Sequence, residues 1–328
     1  MVSIKEVAEK AGVSLKTVSR VINNEPGVKE STRQLVLRSV AELGYLPHAG
    51  ARDMRTRRSQ IIGLITDEIA TTPFAVNIIK GAQDLAWAHN KILLIANTDG
   101  DKQKEDVAIR LMLERRVEGI IYATWFHRAV EIPDSIRGQP LVLVDCYSDD
   151  DLFPSVVPDE VQGGRDATEV LIEKGHRRIG FINLTSGVPA AIGRLQGYRE
   201  ALGAHGIPFD PTLVLNNESG QTDGGYEQVY ILMSQPNPPS ALFCGNDRTA
   251  MGAYQALKEL GFRIPQDVAV IGFDNQEVIA AYLRPSLSTM ALPHYEMGQW
   301  AVQYLLEQNN EWRKQEKLKC PYIVRESA

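Results

Sequence analysis

The sequence predicts an α/β protein, with an all-α helix-turn-helix head followed by two doubly wound parallel-sheet lobes. Three observations carry that prediction. The first 46 residues hold three short helix signals, with caps and small residues where the helices would cross. From residue 60 onward short apolar runs alternate with helical segments, and the alternation runs through twice. At 328 residues the chain is too long for one ordinary core.

Composition narrows the class. Hydrophobic residues at 44% and charged residues at 23% describe a globular protein. No apolar run reaches the ~18 residues of a membrane span, so no membrane partner is expected. Met1-Val2-Ser3-Ile4-Lys5-Glu6 lacks the apolar core of a secretory signal. Cys146, Cys244 and Cys320 are scattered and odd in number, which argues against a disulfide framework or a metal cluster. A reducing cytoplasm is the expected compartment. The net charge of −6 is uneven: residues 1–60 hold 11 Lys/Arg against 6 Asp/Glu, a balance of +5, which leaves 24 against 35, or −11, for the rest. A basic head on an acidic body suits a polyanion-binding module.

In the head (residues 1–46), Ser3 and Glu6 form a capping-box pattern, and Val7, Ala8 and Ala11 line one helix face. Gly12-Val13-Ser14 stops that helix. Ser14 caps a second, from 15 to about 23, with Val18, Val21 and Ile22 inward. After Asn24-Glu25-Pro26-Gly27 a third spans roughly 31–43, with Leu35, Val36 and Val40 on its apolar face and Gly44 at its end. A plain three-helix bundle would not need Ala8, Gly12 and Val18 in this register, whereas a helix-turn-helix does. The outer face of the second helix presents Lys16, Thr17, Ser19, Arg20 and Asn23, a set suited to base edges and phosphates.

Ile4-Lys5-Glu6-Val7-Ala8, Ala11-Gly12-Val13-Ser14, Thr17-Val18-Ser19-Arg20-Val21-Ile22-Asn23 and Ala41-Glu42-Leu43-Gly44-Tyr45-Leu46-Pro47 together resemble the head of the LacI/GalR repressor family. The resemblance implies that Leu15, Lys16 and Arg20 read the major groove, with Thr17 and Ser19 nearer the phosphates. Arg20 is the expected donor to a guanine, because its fork matches two acceptors.

Residues 47–59 are basic and too sparsely apolar to hold a helix alone, so a plain linker is expected in the free protein. The family resemblance implies a second state, in which two such segments pair as helices in the minor groove of DNA. Ala51-Arg52-Asp53-Met54 matches that motif. It places Met54 at the apolar wedge, where the family more often has Leu, with Arg52 and Arg55 as further DNA contacts.

In residues 60–328, the runs 61–65, 92–95, 119–122 and 141–145 read as buried parallel strands, followed by a second series at 179–182, 241–244 and 268–272. Stretches 77–90, 101–116, 161–174, 193–205 and 249–260 read as helices, and 320–328 as a final strand. Doubly wound lobes bind ligands beyond the carboxyl ends of their strands. There the chain offers carboxylates, amides, Arg194 and aromatic rings, the groups a sugar needs.

The resemblance extends through Gly175-His176-Arg177-Arg178-Ile179-Gly180, Gly193-Arg194-Leu195-Gln196-Gly197-Tyr198, Gly245-Asn246-Asp247 and Ile271-Gly272-Phe273-Asp274-Asn275. It implies lobes of periplasmic-binding-protein type. Effector contacts carry over onto Arg194, Asn246, Asp247 and Asp274, with Asp145 and Phe74 on the opposing lobe. Asp247 could instead cap a helix starting at Arg248, and Asp274 could close a turn. Many relatives carry an aromatic platform near Gly220; here Trp125-Phe126-His127, after the third strand, would supply the stacking surface. Hence a disaccharide or sugar phosphate is expected rather than a nucleobase or pentose. Ala70-Thr71-Thr72-Pro73-Phe74, Cys244-Gly245-Asn246-Asp247-Arg248 and Leu292-Pro293-His294 resemble sucrose-type regulators, and His294 could face the pocket.

The expected protein is a cytoplasmic transcriptional repressor acting as a homodimer on a near-palindromic DNA operator, controlled by a small sugar, with no cofactor or metal. Its sensor lobes are expected at 60–158 plus 291–318 and at 159–290 plus 319–328. A transport-type sugar binder is the alternative, disfavoured by the DNA-reading head. A sugar-acting enzyme is less favoured, since no Walker loop or HExxH motif occurs.

Overall fold

The computed structural model describes residues 2–45, 59–70, 74–150, 152–307 and 315–328. It divides into two units, 1–59 and 60–328. The proposed hinge contacts Arg52, Met54 and Arg55 lie outside the described residues.

The first unit is a three-helix head. Helix α1 (Ile4–Ala11) opens on the Ser3–Glu6 capping box and ends at Gly12, whose φ of 61° closes the turn into α2 (Leu15–Ile22). Ser14 caps α2 by accepting the Thr17 N–H at 3.1 Å. Helix α3 (Glu30–Leu43) ends on Gly44 in the left-handed region. Val7, Ala8, Ala11, Val18, Val21 and Val36 form the core. Leu35 is not part of it: the residue is 46% exposed. The inward face of α3 runs through Val36, Ser39 and Val40, and Leu35 sits a helical step off that line.

The second unit contains two six-stranded sheets. The first joins β1 (Ile61–Thr66), β2 (Ile92–Asn97), β3 (Ile120–Ala129), β4 (Leu141–Tyr147), β5 (Ser155–Pro158) and β11 (Gln315–Leu318) in the order β11-β5-β4-β3-β1-β2. The second joins β6 (Ile179–Asn183), β7 (Val214–Asn216), β8 (Ala241–Cys244), β9 (Ala269–Asp274), β10 (Ser288–Ala291) and β12 (Tyr322–Ile323) in the order β12-β10-β9-β8-β6-β7. The two orders correspond strand for strand. Pairing is parallel apart from β10 with β12.

Alternate strand residues feed opposite faces, as the pleat requires. In the first lobe Leu64, Ile121 and Val142 meet α4 (Val76–Ala88) and α11 (His294–Glu307), while Ile65, Ile120 and Leu143 meet α5 (Lys102–Glu114). In the second, Phe181, Phe243 and Ile271 face α6 (Glu160–Glu173) and α7 (Pro189–Ala204). Ile182, Leu242 and Val270 face α8 (Thr222–Met233) and α9 (Asp247–Glu259), with Ala280 of the short α10 (Glu277–Ala280) in the same cluster. No helix among the described residues is long and apolar enough to cross a membrane.

Several sequence expectations need correction. Strand β2 is not buried, because it is the sheet edge and leaves Ile92 55% exposed. Strand β3 does not stop at Tyr122 but continues to Ala129 through an irregularity between Ala123 and Arg128, so Trp125, Phe126 and His127 lie within the strand. The final strand shrinks to Tyr322–Ile323.

The chain passes between the lobes three times, at residues 158–160, 291–294 and 318–322. The crossings are stitched together. Asp159 N–H donates to Leu318 O at 2.8 Å, Cys320 N–H to Gln162 Oε1 at 2.7 Å, and Ala291 N–H to Pro321 O at 2.8 Å.

Candidate functional site

A cavity of about 370 Å³ lies between the lobes, at the carboxyl ends of both sheets. Its size falls in the ~300–1,000 Å³ range of small-molecule sites. Phe74, Trp125, Asp145, Arg194, Asn246 and Asp274 from the sequence reading all line it. Asp247 and His294 do not.

Asp145 and Asp274 occupy matching strands of the two lobes, β4 and β9, and both bend the backbone into positive φ, at 57° and 108°. Such conformations cost about 1–3 kcal/mol each and collect at functional sites. The bend turns each carboxylate toward the cavity. Asp145 Oδ1 has no hydrogen-bond partner, and Oδ2 lies 3.7 Å from His294 Nε2. His294, at the start of α11, is itself buried and packs edge-on against Phe74. Its place is behind the wall.

Arg194 projects from α7 and is almost fully buried. Its Nε donates to Glu160 Oε2 at 2.7 Å, Nη1 donates to the Gly245 carbonyl, and Asp274 Oδ1 stands 3.9 Å from Nη1. The guanidinium lies over the Phe273 ring, 3.6 Å from its centroid. Sequence dictates this approach. At Gly193 a Cβ would come within 2.5 Å of Glu160 Cβ, so only a residue without one lets α7 lie this close to α6. Burial opposes the Glu160 charge, but Arg194 and His127 outweigh it and hold the carboxyl below its ordinary range. At Asp274 burial wins over the attraction of Arg194, and the carboxyl is pushed up to about 7.

Asn246 is the N-cap of α9, its Oδ1 accepting the Thr249 N–H at 2.7 Å while Nδ2 donates to Gly220 O at 3.0 Å. Capping therefore falls to Asn246 rather than Asp247. The Asp247 carboxylate points into the lobe, accepting from Thr289 Oγ1 and from the Gln276 N–H, both at 2.7 Å. Burial, with the Asp274 charge added, raises its carboxyl well above the usual range. Phe74, Trp125 and Phe126 build an aromatic wall, with edge contacts at 6.1 and 4.9 Å between centroids. At Gly220 the nearest atom to an added Cβ is Asn246 Nδ2, 3.8 Å away, so that part of the cavity is open.

Sequence reasoning missed Glu160, which follows the first crossing, along with Arg248, Gln221 and Gln276 on the lining. The acid pair Asp159-Glu160 where the chain changes lobe is the signal that could have found Glu160.

On the head, Leu15, Lys16 and Arg20 share the exposed face of α2, and Leu15 is 49% exposed. Thr17, Ser19 and Asn23 are half-buried, and two of them serve the helix ends: Thr17 Oγ1 meets Ser14 Oγ at 2.9 Å, and Asn23 Nδ2 donates to Ser19 O at 2.6 Å. Arg20 Nε lies 3.8 Å from Glu25 Oε2, an exposed and therefore weak pair.

Residues 3–48 match the bacterial regulatory proteins of the lacI family, and residues 59–326 match the periplasmic binding proteins and sugar binding domain of the LacI family. The chain is 34% identical over 336 residues to the sucrose operon repressor of Escherichia coli, covering 99% of each. Among solved structures, the transcriptional regulator CelR–cellobiose complex aligns over the whole of both chains with a TM-score of 0.68 at 29% identity. The lac repressor dimer bound to operator and the anti-inducer ONPF aligns with a TM-score of 0.80 at 25% identity, over 99% of this chain and 98% of that one.

Proposed function

The chain belongs to the LacI family of bacterial regulatory proteins, and on that premise we propose that it is a cytoplasmic, dimeric repressor of a carbohydrate operon whose operator affinity is set by a sugar held between its lobes. The observation that carries this is one chain bearing both an exposed Leu15–Lys16–Arg20 face and a cleft walled by Phe74, Trp125 and Phe126 against Asp145, Arg194, Asn246 and Asp274. Carboxylates and an amide accept and donate to hydroxyls, and aromatic faces cover the apolar side of a sugar ring. The open ground at Gly220 favours a ligand of disaccharide size.

We take residues 60–158 with 291–318 as one lobe and 159–290 with 319–328 as the other, since α11 and β11 return to the first core. A ligand bridging the lobes acts by binding one lobe arrangement better than another. Coupling of that kind, ~1–3 kcal/mol, changes operator affinity by roughly 5–150-fold, and a catabolic sugar would release the DNA. Isothermal titration of the full chain with sucrose and cellobiose, beside gel shifts on a palindromic duplex, tests the reading. Sugar binding without any change in DNA affinity would leave only a sugar-binding protein.

A further inference from the structure

Resting on the sensor reading above, we infer that Glu160 sets the charge of the ligand this cleft accepts, admitting neutral polyhydroxyl effectors and turning away phosphorylated ones. Arg194 is the one fully buried cation among the described residues lining the cavity, and a phosphate entering the cleft would look to it first. Its charge is already compensated, and its Nε and Nη1 are engaged by protein partners. Glu160 takes Nε at 2.7 Å, the Gly245 carbonyl takes Nη1, Asp274 stands 3.9 Å away, and Phe273 covers a guanidinium face.

The pairing belongs to the helix packing itself, because Gly193 brings α7 directly against Glu160. His127 adds to the hold on the same carboxylate, with Nδ1 3.8 Å from Oε1. Three carboxylates, Asp145, Glu160 and Asp274, therefore face the cavity against one compensated arginine. Arg248, the other cation on the lining, is half-buried and donates to Gln221 Oε1 at 3.2 Å. A dianion placed here meets like charge with little water to screen it. A hydroxyl meets the reverse: Asp145 Oδ1 is buried, without a partner, and accepts a donor.

The test uses full-length protein at pH 8 and constant ionic strength, titrated with inorganic phosphate, sucrose and sucrose 6-phosphate. Binding is read at the cleft, as the part of the fluorescence change that Trp125→Phe removes. Glu160→Gln keeps an acceptor for Arg194 Nε while removing the charge. It is expected to bind inorganic phosphate at least tenfold more tightly than wild type, and Glu160→Gln/Arg194→Gln is expected to lose that gain. Equal phosphate binding by wild type and Glu160→Gln would overturn the assignment, as would a gain that survives loss of Arg194. If Glu160→Gln does not fold, wild type decides alone: a Trp125 response to phosphate or sucrose 6-phosphate overturns the assignment, and silence to both supports it. Failure of every neutral sugar to alter operator binding would instead sink the sensor reading and is a separate result.

Discussion

Replacing Arg194 by Met should destabilise the sensor unit by about 3–5 kcal/mol, the usual cost of removing one partner from a buried ion pair. The structure puts the case at the severe end of side-chain effects. Both side chains are almost fully buried and their charges meet at 2.7 Å, so Arg194→Met leaves the Glu160 carboxylate without its main compensation. Burial, now opposed only by the weaker influence of His127, would push that carboxyl above its ordinary value near 4.5. The sign with pH follows. In wild type the lowered carboxyl contributes stability that is present above pH ~4.5 and lost as pH falls through its folded value. In the variant the raised carboxyl loses stability as pH rises, so the gap between the two proteins widens from acid toward pH 8. Adding Glu160→Gln to Arg194→Met should recover most of the loss, a non-additivity expected of groups in direct contact. Urea unfolding of the full chain, following the transition of residues 60–328, measures all of this. A cost for Arg194→Met under ~1 kcal/mol, or a double variant no better than the single, would refute the reasoning.

Other predictions concern separate parts of the molecule. Ser14→Ala removes the hydroxyl that accepts the Thr17 N–H and should cost the head ~0.5–2 kcal/mol, read as an earlier thermal transition of residues 1–59. Arg20→Ala should cost ~1–3 kcal/mol and relax preference at a single base position per half-site; mobility shifts with that base changed would show uniform loss instead if Arg20 touches only phosphate. Asp274, pushed up to about 7, contributes stability that is fully present below the ordinary aspartate range and lost as pH rises through 7. Asp274→Asn should flatten that stretch of the stability–pH curve, and an unchanged curve would mean another group titrates there. Trp125→Ala should weaken sugar binding by about tenfold, the order of one lost ring contact, without altering operator affinity in the absence of sugar.

Much of this architecture was legible because local signals and tertiary demands agree. Ser3, Gly12, Ser14 and Gly44 sit at helix ends that few residue types serve as well, and all four act there. Strands that open on an unbroken apolar run, such as Leu141–Tyr147, announce themselves. Where the reading failed, the deciding fact was non-local. Ile92-Leu93-Leu94-Ile95 looks like any buried strand, and only the sheet order makes it an edge. Short polar strands such as Gln315–Leu318 exist because β5 lies beside them. Asp247 and Asn246 are adjacent acceptors at one helix start, and which of them caps and which turns inward depends on Thr289 and Gln276. Glu160 gains meaning only from Gly193, thirty-three positions later, pressed against it.

The most direct trial of the account is the operator dissociation constant of the full-length protein, measured on an in vitro selected palindrome across a panel of neutral mono- and disaccharides, for wild type and for Asp145→Asn. A disaccharide that shifts the wild-type constant by roughly 5–150-fold, with the shift reduced or abolished in Asp145→Asn, is the predicted result. No shift from any sugar, or a shift of unchanged size and concentration dependence in the variant, would contradict it.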